Sequence, residues 1–212
     1  MATMTAQDVR QETSVALAPE RAATLDWGNS APLALLAFAV TTFMLSMINA
    51  QAVAVGVTPV VLGVALMFGG LAQLIAGIIQ LRTGNTFSGV LFAGFGAFWM
   101  SFAAYVKFVA PGLPAADAHT AAGIFLGAWT IFTLYMWVAS LRTNAAVAAV
   151  FTVLLVTFTL LTFGAFNPDT SLTEWGGYFG IATAVLAWYA SFAGVANSTW
   201  GKTLLPIYPL KK

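Results

Sequence analysis

Long apolar runs alternate with short polar connections along most of this chain. The stretches without a charged residue include 27–81, 83–106, 143–168 and 175–201. About twenty apolar residues in a helix, at 1.5 Å per residue, cross the roughly 30 Å hydrocarbon core of a bilayer. The pattern predicts six membrane-spanning helices near residues 32–53, 59–81, 87–109, 119–141, 145–166 and 175–197. The expected fold class is an all-α integral membrane protein, a six-transmembrane-helix bundle.

Several of the polar connections hold residues typical of helix ends. Pro32 and Pro59 suit the first turn of a helix, where the missing N–H would have no partner in any case. We expect the carboxylate of Asp117 to cap the fourth helix, and Ser171 or Thr173 to cap the sixth.

Glycines recur every seven residues through the second span, at 63, 70, 77 and 84. Gly70 and Gly77 lie on one helix face and predict a groove that lets another helix approach closely, as small residues do in membranes. Gln73 lies on or beside this groove. Its amide is expected either to tie two helices together or to line a pathway.

Composition agrees with a membrane protein. Of 212 residues, 60% are hydrophobic and 7% are charged, against about 25% charged in soluble domains. The chain has no cysteine, and its net charge of +1 does not favour a nucleic-acid partner. The predicted organisation is a polar N-terminal tail (1–28), a six-helix transmembrane domain (29–201) and a basic C-terminal tail (202–212).

Lysine and arginine are distributed unevenly between the two ends of the predicted spans. With six spans both termini lie on one side, together with Arg10, Arg21, Arg82, Arg142, Lys202, Lys211 and Lys212. The other side has only Lys107. The excess of positive charge on cytoplasmic loops predicts a multi-pass protein of the cell membrane with both termini in the cytoplasm.

A basic residue followed by threonine occurs three times at intervals of sixty residues, at 82–83, 142–143 and 202–203. One interpretation is three related helix hairpins around a pseudo-threefold axis. The other is that each cytoplasmic helix end needs a basic residue and that the helices have similar lengths. We favour the second interpretation.

The predicted spans offer little acid–base or metal chemistry. No Asp, Glu, Lys, Arg or His lies in the middle of any span, where a charge would cost roughly 2.5–3.5 kcal/mol. The pattern argues against proton carriage on a buried carboxylate and against an enzyme, and it suggests neither cofactor nor metal. The single histidine, His119, falls at an outer helix start and is expected to be interfacial.

Neutral polar residues follow one face of the first predicted helix. Phe38, Thr42, Ser46 and Asn49 are spaced i, i+4, i+8 and i+11, and a similar stripe in the fourth helix includes Thr130. Such groups can replace water around a small solute. They can equally tie helices together, at about 0.6 kcal/mol each.

Short motifs then follow one another in a fixed order: NSAPLAL at 29–35, FGGLAQLIAG at 68–77, GNTF at 84–87, GAFW at 96–99, IFTLYMW at 131–137 and NSTWGKTLLP at 197–206. Together they resemble the acetate uptake transporter family, which includes the bacterial succinate–acetate permeases. The resemblance implies a homohexamer of six-helix protomers, each with its own pathway. Members move acetate and, in some cases, succinate, as channels or as proton-coupled permeases.

The resemblance also implies a narrow apolar constriction built from a Phe, an aromatic residue that is commonly Tyr, and a Leu. These positions fall on Phe38, Phe95 and Leu154. Phe95 lacks the hydroxyl of the tyrosine, and Gln80 and Gly194 occupy positions where members often have Glu. Proton coupling and the acetate–succinate preference are therefore left open.

The function expected from the sequence is channel-like transport of acetate, and of succinate or other small monocarboxylates, across a lipid bilayer. The constriction is expected at Phe38, Phe95 and Leu154. The pathway is expected to be lined by Asn29, Thr42, Ser46, Asn49, Gln73 and Thr130. Lys107 either attracts anions to the outer mouth or is an interfacial lysine.

Three alternatives remain at this point. The first is a proton-coupled acetate symporter. The second is a channel for a small neutral solute such as urea or ammonia. The third is a structural or signalling membrane protein without a pathway.

Overall fold

The computed structural model describes residues 27–210; most of the expected N-terminal tail and the last two residues lie outside the described residues. Six helices follow one another in this part of the chain: α1 (Ala31–Asn49), α2 (Val55–Arg82), α3 (Thr86–Gly112), α4 (Ala118–Ser140), α5 (Ala145–Phe166) and α6 (Thr170–Trp200). Each is long and apolar enough to cross a membrane. The predicted six-helix, all-α fold is confirmed.

Several helix ends differ from the prediction by three to five residues, and two of these differences have a clear local cause. Helix α1 ends at Asn49 instead of near residue 53, and Gln51 just beyond it has a φ of 55°, which a right-handed helix does not allow. Helix α6 begins at Thr170 instead of residue 175. The carboxylate of Asp169 accepts hydrogen bonds from the backbone N–H groups of Ser171 (2.8 Å) and Leu172 (3.2 Å), which starts the helix earlier.

The predictions of the capping residues of α4 and α6 also need correction. Asp169 caps α6, whereas Thr173 donates its hydroxyl to the Asp169 carbonyl at 3.1 Å. Asp117 stands at the N-cap position of α4, but its side chain makes no capping hydrogen bond there. Pro32 lies in the first turn of α1, as predicted, and Pro59 lies in the first α-helical turn of α2, directly after a 3-10 turn at Val55–Val57.

The helices pack around a common centre in the order of the chain. Helix α1 packs between α2 and α6, α5 between α4 and α6, and α3 against α2. Aromatic contacts join α3 to α4: Phe95 meets Phe132 at 5.1 Å and Phe98 meets Trp129 at 5.1 Å between ring centroids. The bundle therefore has a continuous apolar core whose middle is mostly aromatic.

The glycine groove of α2 receives α3, as predicted. A Cβ atom on Gly77 would overlap the backbone of Ala93, and one on Gly70 would come within 2.6 Å of the Met100 side chain. Gly63 faces open space, and Gly84 has a φ of 81° in the turn after α2. Only the two middle glycines of the heptad series thus serve helix packing.

The described part of the C-terminal segment is tied to the bundle by hydrogen bonds. The amide of Asn197 accepts from the N–H groups of Leu204 (2.7 Å) and Leu205 (3.0 Å) and donates to the Leu205 carbonyl (2.9 Å). Leu210 and Tyr208 pair with the chain just before α5. Residues 203–210 therefore form a strap across the bundle end where α5 begins.

Candidate functional site

Two cavities lie along the bundle, one after the other. Cavity I, of about 320 Å³, is lined by the first halves of α1, α3 and α5 and by the strap. Cavity II, of about 210 Å³, is lined by the second halves of the same helices. Of the described residues, Phe38 alone lines both cavities.

The side chains predicted to form a constriction all line cavity I, and Phe38 lines cavity II as well. Phe38, Phe95 and Leu154 are all buried, and all three line cavity I. The ring of Phe38 lies edge-to-face against that of Phe95, with centroids 5.4 Å apart. Phe98 and Phe158, whose centroids are 5.4 Å apart, line cavity II on the other side. The cavities are therefore separated by a layer of aromatic rings.

Cavity I combines an apolar wall with amides at helix ends. Asn29, Asn85, Asn144 and Asn197 line it from four different helix ends. Asn85 and Asn144 accept hydrogen bonds from the first turns of α3 and α5, each at 3.0 Å. Three helix N-termini, those of α1, α3 and α5, thus meet at this cavity and favour negative charge there.

Gln73 lines cavity I from the middle of α2 and is almost completely buried. A π-helical turn, Met67–Ala72, directly precedes it, and such turns are frequent at functional sites. Its amide oxygen has no partner among residues 27–210. The alternative of an interhelical hydrogen bond through this oxygen is therefore not realised here.

Cavity II collects the predicted polar stripe of α1. Thr42, Ser46 and Asn49 all line it, together with Thr157 and Thr173 from the facing helices. Asn49, Ala165 and Thr173 also line a third cavity, of about 370 Å³, at the end of the bundle where α1 and α5 end. His119 and Asp169 border that third cavity. Cavity II therefore continues towards this end of the bundle.

Two residues of the predicted site lie elsewhere. The hydroxyl of Thr130 donates to the carbonyl of Leu126 (2.9 Å) and meets the hydroxyl of Thr162 (2.8 Å), so it ties α4 to α5. Lys107 is exposed on the last turns of α3. Neither residue lines any of these three cavities, so the structure does not bring Thr130 to the candidate pathway, and the role of Lys107 at the outer mouth stays a prediction.

The walls of cavities I and II are uncharged. Within the described range, no Asp, Glu, Lys, Arg or His side chain lines either cavity. No cluster of three metal-ligating side chains occurs there either. The arrangement suits the passage of a small solute through neutral polar contacts and an apolar constriction.

Several wall residues escaped the sequence analysis, among them Phe98, Trp99 and Phe158. Phe158 follows Leu154 by one helical turn, and Phe98 follows Phe95 by three residues, so helical spacing from the predicted constriction could have found both. Trp99 stands within the GAFW motif and carries a buried indole N–H without a partner in the described chain. Its sequence pattern is that of an ordinary core tryptophan.

This chain resembles known proteins over most of its length. A sequence model of the GPR1/FUN34/yaaH family matches residues 13–212. The chain is 40% identical over 176 residues to ammonia transport outward protein 2 of Saccharomyces cerevisiae, covering 81% of this chain but 62% of that protein. It is 32% identical over 179 residues to the succinate-acetate/proton symporter SatP of Escherichia coli K12, covering 84% of this chain and 94% of SatP.

A solved structure has the same fold. The structure of the bacterial acetate channel SatP superposes with a TM-score of 0.80 at 32% sequence identity. The superposition covers 85% of this chain and 99% of that one. The order and packing of the six helices are therefore those of a known transport protein.

Proposed function

This chain belongs to the GPR1/FUN34/yaaH family, and we propose that it carries acetate across a membrane through cavities I and II. The observation that carries the proposal is the position of Phe38 between two uncharged cavities. The names of the bacterial relatives, a succinate-acetate/proton symporter and an acetate channel, support the choice of substrate.

Acetate exchanges water for neutral polar groups on its way to the constriction. In cavity I these groups are the amides near the helix ends and Gln73; in cavity II they are Thr42, Ser46 and Asn49. At the layer formed by Phe38, Phe95 and Leu154 the solute meets apolar surface only. A small monocarboxylate crosses such a layer more readily than a dianion, because each charge must lose its hydration.

We propose a channel-like mechanism for the same reason. Without a titratable side chain on the walls of cavities I and II, the described part of the chain offers a proton no binding group beside the constriction. Transport then follows the electrochemical gradient of acetate, without a coupled proton. Succinate is expected to pass more slowly, since Phe95 has no hydroxyl to meet a second carboxylate.

The uncharged walls also favour a second candidate, a channel for a small neutral solute such as ammonia or urea. One yeast relative is named an ammonia transport outward protein. Competition of labelled acetate uptake by propionate and by urea separates the two candidates. Propionate competes with acetate at a carboxylate pathway, whereas urea competes only at a pathway for neutral solutes.

The first experiment is labelled acetate flux into liposomes that contain the purified protein, with and without an imposed proton gradient. Uptake that only equilibrates under both conditions supports a channel. Accumulation above equilibrium, beyond that in protein-free liposomes, contradicts it and requires coupled transport. Absence of any protein-dependent flux overturns the proposed function.

We further propose that both termini lie in the cytoplasm, which the distribution of basic residues supports. The chain has no cysteine, so single cysteines can report the side on which a turn lies. A membrane-impermeant maleimide is expected to label Ala52→Cys in intact cells, and Thr83→Cys only after permeabilisation. The reverse labelling pattern would invert the orientation.

Homohexameric assembly is proposed on the family resemblance, with one pathway in each protomer. Native mass spectrometry of the protein released from detergent tests it directly. A mass of six chains is expected. A mass of one chain, obtained from a detergent preparation that still gives acetate flux after reconstitution into liposomes, would contradict it.

A further inference from the structure

Phe95 has a close ring contact on α4 as well as the contact with Phe38. The ring of Phe132 lies edge-to-face against it, with centroids 5.1 Å apart and planes inclined at 73°. This is the shortest ring contact of Phe95 in the described chain, shorter than the 5.4 Å to Phe38. Phe132 lines neither cavity I nor cavity II. Phe95 is therefore held from outside the candidate pathway as well as from within it.

Gly94, the residue before Phe95, makes room for the Phe132 ring. A Cβ atom on Gly94 would lie 2.5 Å from the Cζ atom of that ring and 3.1 Å and 3.2 Å from its two Cε atoms. Carbon atoms that are not bonded to each other favour separations of about 3.5–4.0 Å. The tip of the Phe132 ring thus occupies the space that a side chain at position 94 would need.

Two further rings of α4 contact Phe132 and keep it in this place. Trp129 lies edge-to-face against it at 5.5 Å, and Tyr135 does so at 5.2 Å. Tyr135 is 52% exposed. Edge-to-face rings attract each other beyond the burial of their surface. The rings of Phe38, Phe95, Phe132 and Tyr135 therefore form a row of edge-to-face contacts from the constriction to the exposed face of α4.

The rings around Phe95 limit the directions in which it can move. Those that line cavity I or cavity II are Phe38, Phe98, Phe151 and Phe158. Those that line neither cavity are Phe132 and Trp129, both on α4. A movement of the Phe95 ring away from the cavities is therefore directed at α4, where the nearest ring is that of Phe132.

We propose that Phe132 is a positioning residue for transport. With its ring tip against Gly94, it limits how far the Phe95 ring can turn away from Phe38, and so it sets how widely the constriction opens. The proposal rests on the proposed transport of acetate and adds a control of the opening from α4, outside the pathway. Phe132 itself does not touch the solute.

The first test replaces the ring of Phe132 by an aliphatic side chain. Phe132→Leu should raise the ratio of succinate to acetate flux in liposomes about fivefold, for the loss of one edge-to-face contact. The half-saturating acetate concentration should stay at the wild-type value, because Phe132 lines neither cavity. A purely structural role would lower both fluxes together, with the amount of folded protein, and would leave the ratio unchanged.

Gly94→Ala is a second variant that displaces the Phe132 ring without altering it. The added methyl group has to push the ring tip away from α3, so the flux ratio should rise as in Phe132→Leu. In the double variant the ratio should equal that of Phe132→Leu alone, because no ring tip is left to displace. Strictly additive effects would contradict the role assigned to Gly94.

Matched controls make the same exchanges elsewhere. Phe43→Leu alters a half-buried phenylalanine that packs on Trp188 and lines neither cavity. Gly63→Ala adds a methyl group that meets open space. Both controls should keep the wild-type flux ratio.

The freedom of the Phe95 ring is measured without transport. With 3,5-difluorophenylalanine at position 95, a ring that turns over slowly gives two ¹⁹F NMR signals, and a ring that turns over fast gives one averaged signal. Phe132→Leu and Gly94→Ala should each accelerate the exchange about fivefold, for the same lost contact. An exchange rate that is unchanged in both variants overturns the proposal.

The proposed function and the role of Phe132 fail in different ways. If wild-type liposomes carry no acetate, the proposed function is wrong, and the exchange rates alone decide whether Phe132 restrains Phe95. If acetate flows while Phe132→Leu and Gly94→Ala keep the wild-type flux ratio, transport stands and the positioning role is wrong. A raised ratio at unchanged half-saturation, absent from Phe43→Leu and Gly63→Ala, supports the role.

Discussion

The ring of Phe38 on α1 lies edge-to-face against the ring of Phe95 on α3, with centroids 5.4 Å apart and planes inclined at 61°. Phe38 is also the point at which cavities I and II meet in the described structure. An edge-to-face pair gains attraction beyond the burial of its surface, which holds both rings in place. A solute can pass only if at least one of these rings rotates or is shortened.

Replacing the ring of Phe38 by a smaller side chain should therefore widen the range of substrates. Phe38→Ala joins the two cavities, and we expect the ratio of succinate to acetate flux to rise about tenfold, for a barrier lowered by about 1.4 kcal/mol. Leu154→Ala should act in the same direction. Paired flux measurements with both labelled acids give the ratio.

Phe43→Ala is the matched control, because Phe43 packs on Trp188 and lines neither cavity. Its flux ratio should stay at the wild-type value. An unchanged ratio in both Phe38→Ala and Leu154→Ala would remove these residues from the constriction.

Helical spacing was a good guide where one face of a helix meets a cavity, and a poor one elsewhere. In α1 the spacing of Thr42, Ser46 and Asn49 predicted a shared face, and all three line cavity II. The same reasoning failed for Thr130 on α4, because spacing defines a face but not its neighbour. That neighbour is α5, where Thr162 takes the hydroxyl.

Trp99 shows what the sequence could not supply. A tryptophan within an apolar helix normally packs in the core, and only the three-dimensional structure reveals that its N–H has no partner in the described chain. The prediction of the residue that caps α6 failed for a related reason. Several residues could have capped this helix, and only backbone geometry selects Asp169 over Ser171 and Thr173.

Close packing of α2 against α3 should make Gly77 sensitive to the smallest substitution. A methyl group there would overlap the Ala93 backbone, so Gly77→Ala has to push the helices apart. We expect a loss of about 1–3 kcal/mol of stability, typical of overpacking. Gly63→Ala is the control, since Gly63 faces open space and alanine favours the helix.

The comparison is made by thermal unfolding of both variants in the same detergent. Gly77→Ala should unfold at a lower temperature than wild type, and Gly63→Ala should not. Equal unfolding temperatures would mean that the groove is not a tight contact.

Gly194 and Pro32 should behave as a coupled pair. A Cβ atom on Gly194 would lie 2.7 Å from the ring of Pro32, and both residues line cavity I. Gly194→Ala is therefore expected to lower stability, and Pro32→Ala in the same chain should restore part of the loss. A double-mutant cycle of unfolding free energies should give a coupling of about 0.5–3 kcal/mol, as for contacting residues.

Gly56→Ala serves as the control for the glycine change in this cycle, because no atom lies within 4 Å of a Cβ added at Gly56. Strictly additive effects of Gly194→Ala and Pro32→Ala would show that the two side chains do not compete for space. The same contact means that any larger residue at position 194 needs a rearranged α1 before it fits this chain.

Asn197 should control the strap of residues 203–210. Its amide makes three hydrogen bonds to Leu204 and Leu205, and Ile207 of the strap lines cavity I. Asn197→Ala removes all three bonds at once. Hydrogen exchange at the Leu204 and Leu205 amides should accelerate about tenfold or more, because each such bond is worth about 1 kcal/mol.

Thr199→Ala is the matched control, because the Thr199 hydroxyl bonds only within α6, to the carbonyl of Val195. Exchange at Leu204 and Leu205 should stay as in wild type in that variant. If Asn197→Ala leaves both amides protected, the remaining contacts of the strap are sufficient. These contacts include the hydrogen bond from the Tyr189 hydroxyl to the Pro206 carbonyl, the bond from the Ala146 N–H to the Ile207 carbonyl, and the pairing of Tyr208 and Leu210 with the chain at the start of α5. Acceleration confined to Asn197→Ala would make this asparagine the residue that holds the strap over cavity I.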